Sequence, residues 1–303
     1  MFDFNKKRGK KLLISIYEAY VNEEKLFQYR HSTNGSAPQN QYIPKGVKRG
    51  SSLHAVFLFF AVLLTYRSQS KVWFRQCKEL YEKRPFLFGP DIKNIPLEKV
   101  QKHLRESGFI YHQAGGYRWK RSGEGLLKEF GGNPLAIFNS GSIRSIENVL
   151  KKVKEGANNL LPGYGPKLLS LLAMLYEEIG AIEHVKGSFP CDVHIQNQCL
   201  SLGIVKPNKE IFKNTSFAEF LRKEISELCY SNSIETTLDL SHAMWILGSE
   251  LCIYCRKKPR LAEYLCPVFG DCNGRIKTEL YYKKGRWNLE EKKEILPLFR
   301  RKT

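Results

Sequence analysis

The sequence predicts an all-α protein, and three observations carry that prediction. Apolar residues recur at three- and four-residue spacing along most of the 303 residues, the period of a one-sided helix. No two alternating apolar–polar runs stand out as partnered strands, and no segment repeats. Clusters of Gly, Pro and Asn interrupt the helical stretches, as breakers do. At ~100–200 residues per domain, the length allows one large or two modest domains with a real core.

The elements follow in order. In GKKLLISIYEAYV (9–21), Leu12, Leu13, Ile16, Tyr17 and Tyr20 share one face of an amphipathic helix. HSTNGSAPQNQ (31–41) reads as a loop. Residues 52–66 form a helix whose apolar run, AVFLFFAVLL, has ten residues. A bilayer span needs ~20, so this is a core helix. A helix over 72–82 carries Trp73, Phe74, Cys77 and Leu80. Pro85, Gly89-Pro90 and Pro96 punctuate a loop before helices over 97–107 and 117–130. Gly131-Gly132-Asn133-Pro134 breaks the chain ahead of 143–154. Further helices cover 166–179, 193–202, 216–228 and 241–252, and a basic tail closes the sequence. Within Gly115–Lys120 (GGYRWK), Trp119 reads as a core residue beside a solvated face, with an aromatic–basic binding run as the alternative.

Charge narrows the class of partner. There are 49 Lys+Arg against 30 Asp+Glu, a formal net charge of +19. Residues 1–50 hold 10 basic and 4 acidic side chains, and residues 273–303 hold the same numbers, so the two ends carry most of the excess. Such a field favours a polyanion: nucleic acid first, an acidic membrane surface second. With 26% charged and 42% apolar residues, a disordered acidic or low-complexity chain is excluded. NKKRGKK is followed only by LLISI before Glu18, which is no signal-peptide core. The expectation is a soluble intracellular monomer, cytoplasmic and nucleoid-associated, or nuclear in a eukaryote.

Of the eight cysteines, Cys77, Cys191, Cys199 and Cys229 are scattered, whereas Cys252, Cys255, Cys266 and Cys272 fall within 21 residues. A disulfide framework is normally spread through a smaller secreted chain. The C-x2-C-x10-C-x5-C set offers four soft ligands, suited to a [4Fe–4S] cluster or, as the alternative, a tetrahedral zinc. Arg256, Lys257, Lys258 and Arg260 lie inside the ten-residue loop, where a metal-pinned segment could grip phosphates.

The most informative segment is Leu161-Pro162-Gly163-Tyr164-Gly165-Pro166-Lys167. Two glycines let the backbone turn sharply and approach another molecule closely. Pro166 suits the first turn of the next helix, whose outward N–H groups offer a phosphate seat. A plain turn between two helices would look similar. Asp192, 25 residues after Lys167, sits in Pro190-Cys191-Asp192-Val193-His194. LPGYGPK with this aspartate resembles the helix-hairpin-helix (HhH-GPD) DNA glycosylases of the endonuclease III superfamily. Their pattern is an LPGxGxK hairpin, a helix, then an aspartate in a VDxH-like stretch; here Cys191 replaces the valine. FLFFAVLLTYRSQ (57–69) and HAMWILGSELC (242–252) extend the resemblance. The family's cysteine spacing is C-x6-C-x2-C-x5-C, from which the second cysteine here departs.

The resemblance implies a two-lobed endonuclease III-like fold. Its parts would be a basic N-terminal segment (1–51) packing with the cluster lobe, a helical barrel (52–185) holding the hairpin 161–167, a cluster domain (186–273) and a basic tail (274–303). It implies a base-excision-repair DNA glycosylase with AP lyase activity on double-stranded DNA containing a damaged or mismatched base. Lys167 would be the nucleophile, active only when unprotonated, and Asp192 would assist and stabilise charge on the sugar. Against these stand a solvated helix-start lysine and a simple helix cap. Tyr66, Arg67 or Gln69 would fill the gap left by the flipped base, with Gly163, Tyr164, Gly165, Arg256, Lys257 and Lys258 also on DNA. The resemblance makes oxidised pyrimidines the default substrate and leaves oxidised purines and mismatched bases open. The alternatives are a monofunctional glycosylase using water activated by Asp192, and a DNA-binding protein without chemistry.

Overall fold

A computed structural model of the chain describes residues 2–29, 37–65, 70–139, 145–154, 159–206, 214–231, 237–255, 258–272, 277–283 and 286–292, with backbone alone at 214–216, 230–231, 259 and the last two segments. In chain order the elements are β1 (Asp3–Phe4), α1 (Lys6–Val21), α2 (Pro38–Gln41), α3 (Ser52–Leu63), α4 (Ser70–Lys83), α5 (Leu97–Glu106), α6 (His112–Phe130), α7 (Ile146–Lys154) and α8 (Pro166–Glu178). They continue with α9 (Val193–Ser201), β2 (Val205–Lys206), α10 (Asn214–Ser231), α11 (Thr237–Ile246), α12 (Pro259–Leu265), β3 (Lys277–Lys283) and β4 (Arg286–Lys292). Helix dominates, as expected. The chain divides into two compact units, residues 32–190 and residues 1–31 with 191–303. Among the described residues no helix is long and apolar enough to cross a membrane.

The unit 32–190 is built around α3. Ser51 caps it by accepting the His54 N–H at 3.2 Å, and Phe57–Leu63 are all buried. A helix apolar on every side must be surrounded, and α4, α6 and α8 pack on this one. Two buried tyrosine hydroxyls tie it to its neighbours. Tyr176 of α8 donates to Ala55 O at 2.8 Å, and Tyr164 donates to Phe59 O. Trp119 is buried, with Phe60 and Phe88 at 4.8 and 4.9 Å between ring centroids, and its Nε1–H donates to Leu87 O at 2.8 Å. The core reading of Trp119 is therefore the structure's own. Helix α6 begins five residues earlier than its expected start at 117, because Gly115 and Gly116 are buried inside it where α5 packs close.

In the unit 1–31 with 191–303, β1 pairs antiparallel with β2 and α1 packs on α11. Arg8 donates to Leu202 O and Asp271 O, both at 2.5 Å, and Lys11 meets Asp271 at 2.9 Å. Part of the N-terminal charge thus holds this unit together. The expected helix 241–252 changes register: α11 ends at Ile246 and a π-helical turn, Leu247–Cys252, continues it. The ten-residue cysteine loop is not all loop, since α12 starts on Pro259, a residue suited to a first helical position. The largest departure is the basic tail. Residues 277–292 contain an antiparallel ribbon, registered from Lys277↔Lys292 to Lys283↔Arg286, and β3 packs against α9. The alternation of Leu280 and Tyr282, and of Trp287 and Leu289, is a strand signal that the basic composition obscured.

Candidate nucleic-acid site

The hairpin between α7 and α8 is shaped by α6. Gly163 has φ +101°, where a side chain is strained, so glycine is favoured there; a Cβ would also press on the Arg118 stem, 2.9 Å from its Cδ. The Ser122 hydroxyl donates to Pro162 O at 2.8 Å. A Cβ on Gly125 would lie 1.9 Å from Leu160 O, so that glycine lets the loop backbone rest directly on the helix. Arg118, Ser122 and Gly125, four and three residues apart, form one seat for 160–163. None was singled out from the sequence for this role, because a one-residue contact with a turn leaves no periodic trace.

Tyr164 corrects an expectation. It was placed on DNA, yet only 1% of it is accessible, and its ring stacks on Phe59 at 5.1 Å. Burial raises its phenol pKa well above 10, with Tyr176 nearby adding to the effect. The side chain is an inward anchor that fixes the hairpin to α3.

Gly165 behaves differently. Its φ of −92° and ψ of −176° are open to any residue, and no heavy atom lies within 4 Å of where a Cβ would stand. As N-cap of α8 it supplies no side-chain acceptor, and Pro166 supplies no N–H. The first-turn amides of Lys167 and Leu168 therefore receive no side-chain cap, at the positive end of a thirteen-residue helix. Lys167 is exposed on that turn. The arrangement can hold an anion and present an amine beside it.

Asp192 is the N-cap of α9. Its Oδ1 accepts the His194 and Ile195 N–H groups at 2.9 and 3.0 Å, so both bonds fall on one oxygen and the cap leaves Oδ2 unused. The preceding Cys191 is buried and fills an apolar position as valine would. Burial, then Cys199 and Asp192, push its thiol well above 9. Helix α9 is seated by a glycine: a Cβ on Gly248 would lie 2.4 Å from Gln198 Nε2 and 2.9 Å from His194 Cβ. Gln198 Nε2 donates to Met244 O at 2.7 Å, joining α9 to α11 just before the π-helical turn. His194 thus has a packing role. Gly248 and Gln198 carried no sequence signal, since a mid-helix glycine gains meaning only from the helix laid across it.

Tyr66, Arg67, Gln69, Arg256 and Lys257 lie outside the described residues. Lys258 is exposed and lines a shallow pocket of about 220 Å³ with Glu250, Leu251, Tyr254 and Leu261. The four clustered cysteines are half-buried thiols. The Cys266 thiol is pushed up to about 12, chiefly by burial, with Cys272 and Cys255 near enough to add to it. Among the described residues no three His, Cys, Asp or Glu side chains are gathered as a metal site.

No family model and no curated protein matches the sequence. Solved structures do. The 8-oxoguanine glycosylase/lyase of Methanocaldococcus jannaschii, in complex with a 15mer DNA containing 8-oxoguanine, matches with a TM-score of 0.51 at 12% identity, over 78% of this chain and 96% of that one. The 8-oxoguanine DNA glycosylase of Thermotoga maritima matches at 0.49 and 12%, over 80% and 97%. Another structure of the Methanocaldococcus jannaschii glycosylase gives 0.48 and 15%, over 79% and 94%.

Proposed function

From the fold shared with the first of these structures, we propose that the chain is a base-excision DNA glycosylase with AP lyase activity on double-stranded DNA. The observation that carries the reading is the bare start of α8: an uncapped, open Gly165 followed by exposed Lys167. A glycine that the backbone does not need, at the positive end of a helix, is accounted for by a phosphate that comes close. Because the matching Methanocaldococcus jannaschii protein is described with 8-oxoguanine DNA, 8-oxoguanine is the substrate of choice here.

In this reading the backbone amides at the start of α8 hold the DNA strand, and Gly163 and Tyr164 keep the turn in shape. Lys167 Nζ, deprotonated, attacks C1′ of the flipped nucleotide. The glycosidic C–N bond breaks, and the base leaves with the bonding pair and gains a proton. Oδ2 of Asp192, which the cap does not use, stabilises positive charge growing on the sugar and takes a proton from the Lys167 amine. The C1′–O4′ bond then breaks, O4′ taking a proton as the sugar ring opens and Nζ forms an imine with C1′; the imine makes a C2′ proton acidic, and its loss expels the 3′ phosphate and cuts the strand. The four clustered cysteines suit a soft metal by donor type, [4Fe–4S] or zinc. Cys252, Cys255, Cys266 and Cys272 would hold such a metal, whose part would be structural, and elemental analysis for iron and zinc tests for it.

Borohydride reduction during reaction with an 8-oxoguanine duplex tests the proposal. Covalent protein–DNA adduct is expected from the unaltered chain and none from Lys167→Ala. Base release without adduct would leave a glycosylase that uses water; no release from any lesion duplex would refute the reading.

A further inference from the structure

The first six residues of α1, Lys6-Lys7-Arg8-Gly9-Lys10-Lys11, hold five cations. Three of them stand in the first turn, which has no acid, whereas each of the helices α2–α12 has at most one Lys or Arg among its first four residues. Cations at a helix start oppose the dipole. Lys6 with Lys10, and Lys7 with Lys11, are also like charges four residues apart, which repel. The fold uses only part of this charge. Arg8 turns to Leu202 O and Asp271 O, and Lys11 takes the Asp271 carboxylate at 2.9 Å. Lys6, 75% exposed, reaches Glu224 only at 4.0 Å. Lys7 and Lys10 are exposed and meet no acid among the described residues. Asp3, the acid nearest in sequence, stands opposite Lys206 in the β1–β2 pairing, and Glu18 lies about two turns beyond Lys10. At about 3.6 residues per turn, Lys6, Lys10 and Lys7 fall within roughly 100° of arc, away from the buried stripe of Leu12, Ile16 and Tyr20. A polyanion laid along this face would turn both repulsions into attraction.

We propose that the outer face of α1, with Lys6, Lys7 and Lys10, is a second DNA-binding surface that takes backbone phosphates of duplex DNA. This rests on the glycosylase reading for the identity of the polyanion and adds to it a contact outside the hairpin. Lys6 and Lys10 lie about 6 Å apart along the helix axis, and the phosphates of one strand advance about 3.4 Å per nucleotide. The two tiers therefore meet different phosphates. Lysines are flexible point charges, and phosphate contacts are sequence-independent and release counterions. The face thus contributes to undamaged and lesion DNA alike.

The test compares the full chain with a variant carrying Lys6→Ala, Lys7→Ala and Lys10→Ala, measuring the dissociation constant for undamaged and 8-oxoguanine duplexes across a salt series. The variant should bind both at least ~10-fold more weakly at about 0.1 M salt, with a log–log salt slope flatter by about 2–3. Urea titration should find it at least as stable as the unaltered chain, because alanine is the best helix former and the repulsions are gone. Arginine at the same three positions should keep the original slope. Unchanged affinity and slope in the alanine variant, beside an unaltered chain that binds DNA, would overturn the α1 contact alone. Weaker binding at an unchanged slope, or a loss of stability, would also overturn it, because the lysines would then serve the fold. Vesicles containing phosphatidylserine give the contrast: vesicle binding lost in the variant, with duplex affinity intact, would assign the face to a membrane instead. An unaltered chain that binds neither duplex would refute the glycosylase reading and the α1 contact with it.

Discussion

Gly165 and Asp192 precede helices α8 and α9 in the same extended conformation, φ −92° and ψ −176° at the first, φ −90° and ψ −176° at the second. The backbone makes no distinction between them, yet one position carries no side chain and the other a carboxylate with two amides on it. Helix α9 satisfies its own start, whereas α8 leaves its start to something else. An aspartate at Gly165 would fit the geometry and stabilise the helix, so its absence has a reason outside the fold. In the proposed glycosylase reading, an approaching phosphate is that reason. The far end of α8 is held firmly enough to allow it. Glu178 O accepts from Arg49 at 2.8 Å, and the Glu178 carboxylate accepts from Gln39 and Asn40 at 3.0 and 2.8 Å.

The largest effect expected comes from separating the two tasks of Asp192. Asparagine caps a helix about as well as aspartate, so Asp192→Asn should leave stability within about 0.5 kcal/mol. Base release in single-turnover assays should nonetheless fall ~100-fold or more, the range of a lost acid–base group. Asp192→Ala should show the same rate loss and also lose about 1 kcal/mol of stability in urea titration. If Asp192→Asn retained full activity, Asp192 would be a cap and nothing more.

Next comes the converse change at the bare start. Gly165→Asp should raise stability by about 0.5 kcal/mol through capping and the helix dipole. It should weaken binding to duplex DNA about tenfold, because the new carboxylate occupies and repels the phosphate seat. Tighter binding, or lower stability, would break the comparison between the two helix starts.

A third effect, confined to acid pH, probes the held end. His54 is buried, and its Nδ1 accepts the Gly50 N–H at 3.2 Å. Burial, followed by nearby Arg49, lowers its pKa from 6.5 to about 4 against the pull of Glu178. The folded chain therefore prefers neutral imidazole. This contribution is complete above pH 6.5 and is lost as pH falls from 6.5 to about 4, on the order of 3 kcal/mol. Stability measured across that window should decline less in His54→Gln than in the unaltered chain; equal slopes would remove His54 as the cause.

Much of the fold was legible because its signals are local and repeated. The apolar run 55–64 has no polar face and could only be a core helix. Trp119 reads as core because a large indole in a helical stretch has much apolar surface to bury. The hairpin was legible as a string, but the direction of each side chain in it was not. Periodicity assigns faces to helices and has nothing to say about a turn, so Tyr164, inward, and Gly165, outward, looked equivalent. Gly125 and Gly248 were illegible for a related reason: each is defined by a distant backbone or side chain that lies against it. In the C-terminal tail, net charge overshadowed the alternation of Leu280, Tyr282, Trp287 and Leu289, and a ribbon read as a tail.

The unit formed by residues 1–31 and 191–303 has a consequence for synthesis. Helix α1 emerges early with Leu12, Leu13, Ile16 and Tyr20 on its apolar face, but the helix it packs on, α11, begins only at Thr237. Roughly 200 residues separate them, which at ~5–20 residues per second leaves α1 waiting about 10–40 s for its partner. Meanwhile residues 32–190, a compact unit by itself, can fold first. A nascent chain of this protein thus carries an uncovered greasy helix behind a finished domain. Its yield should depend on how well the cell shelters those first thirty residues.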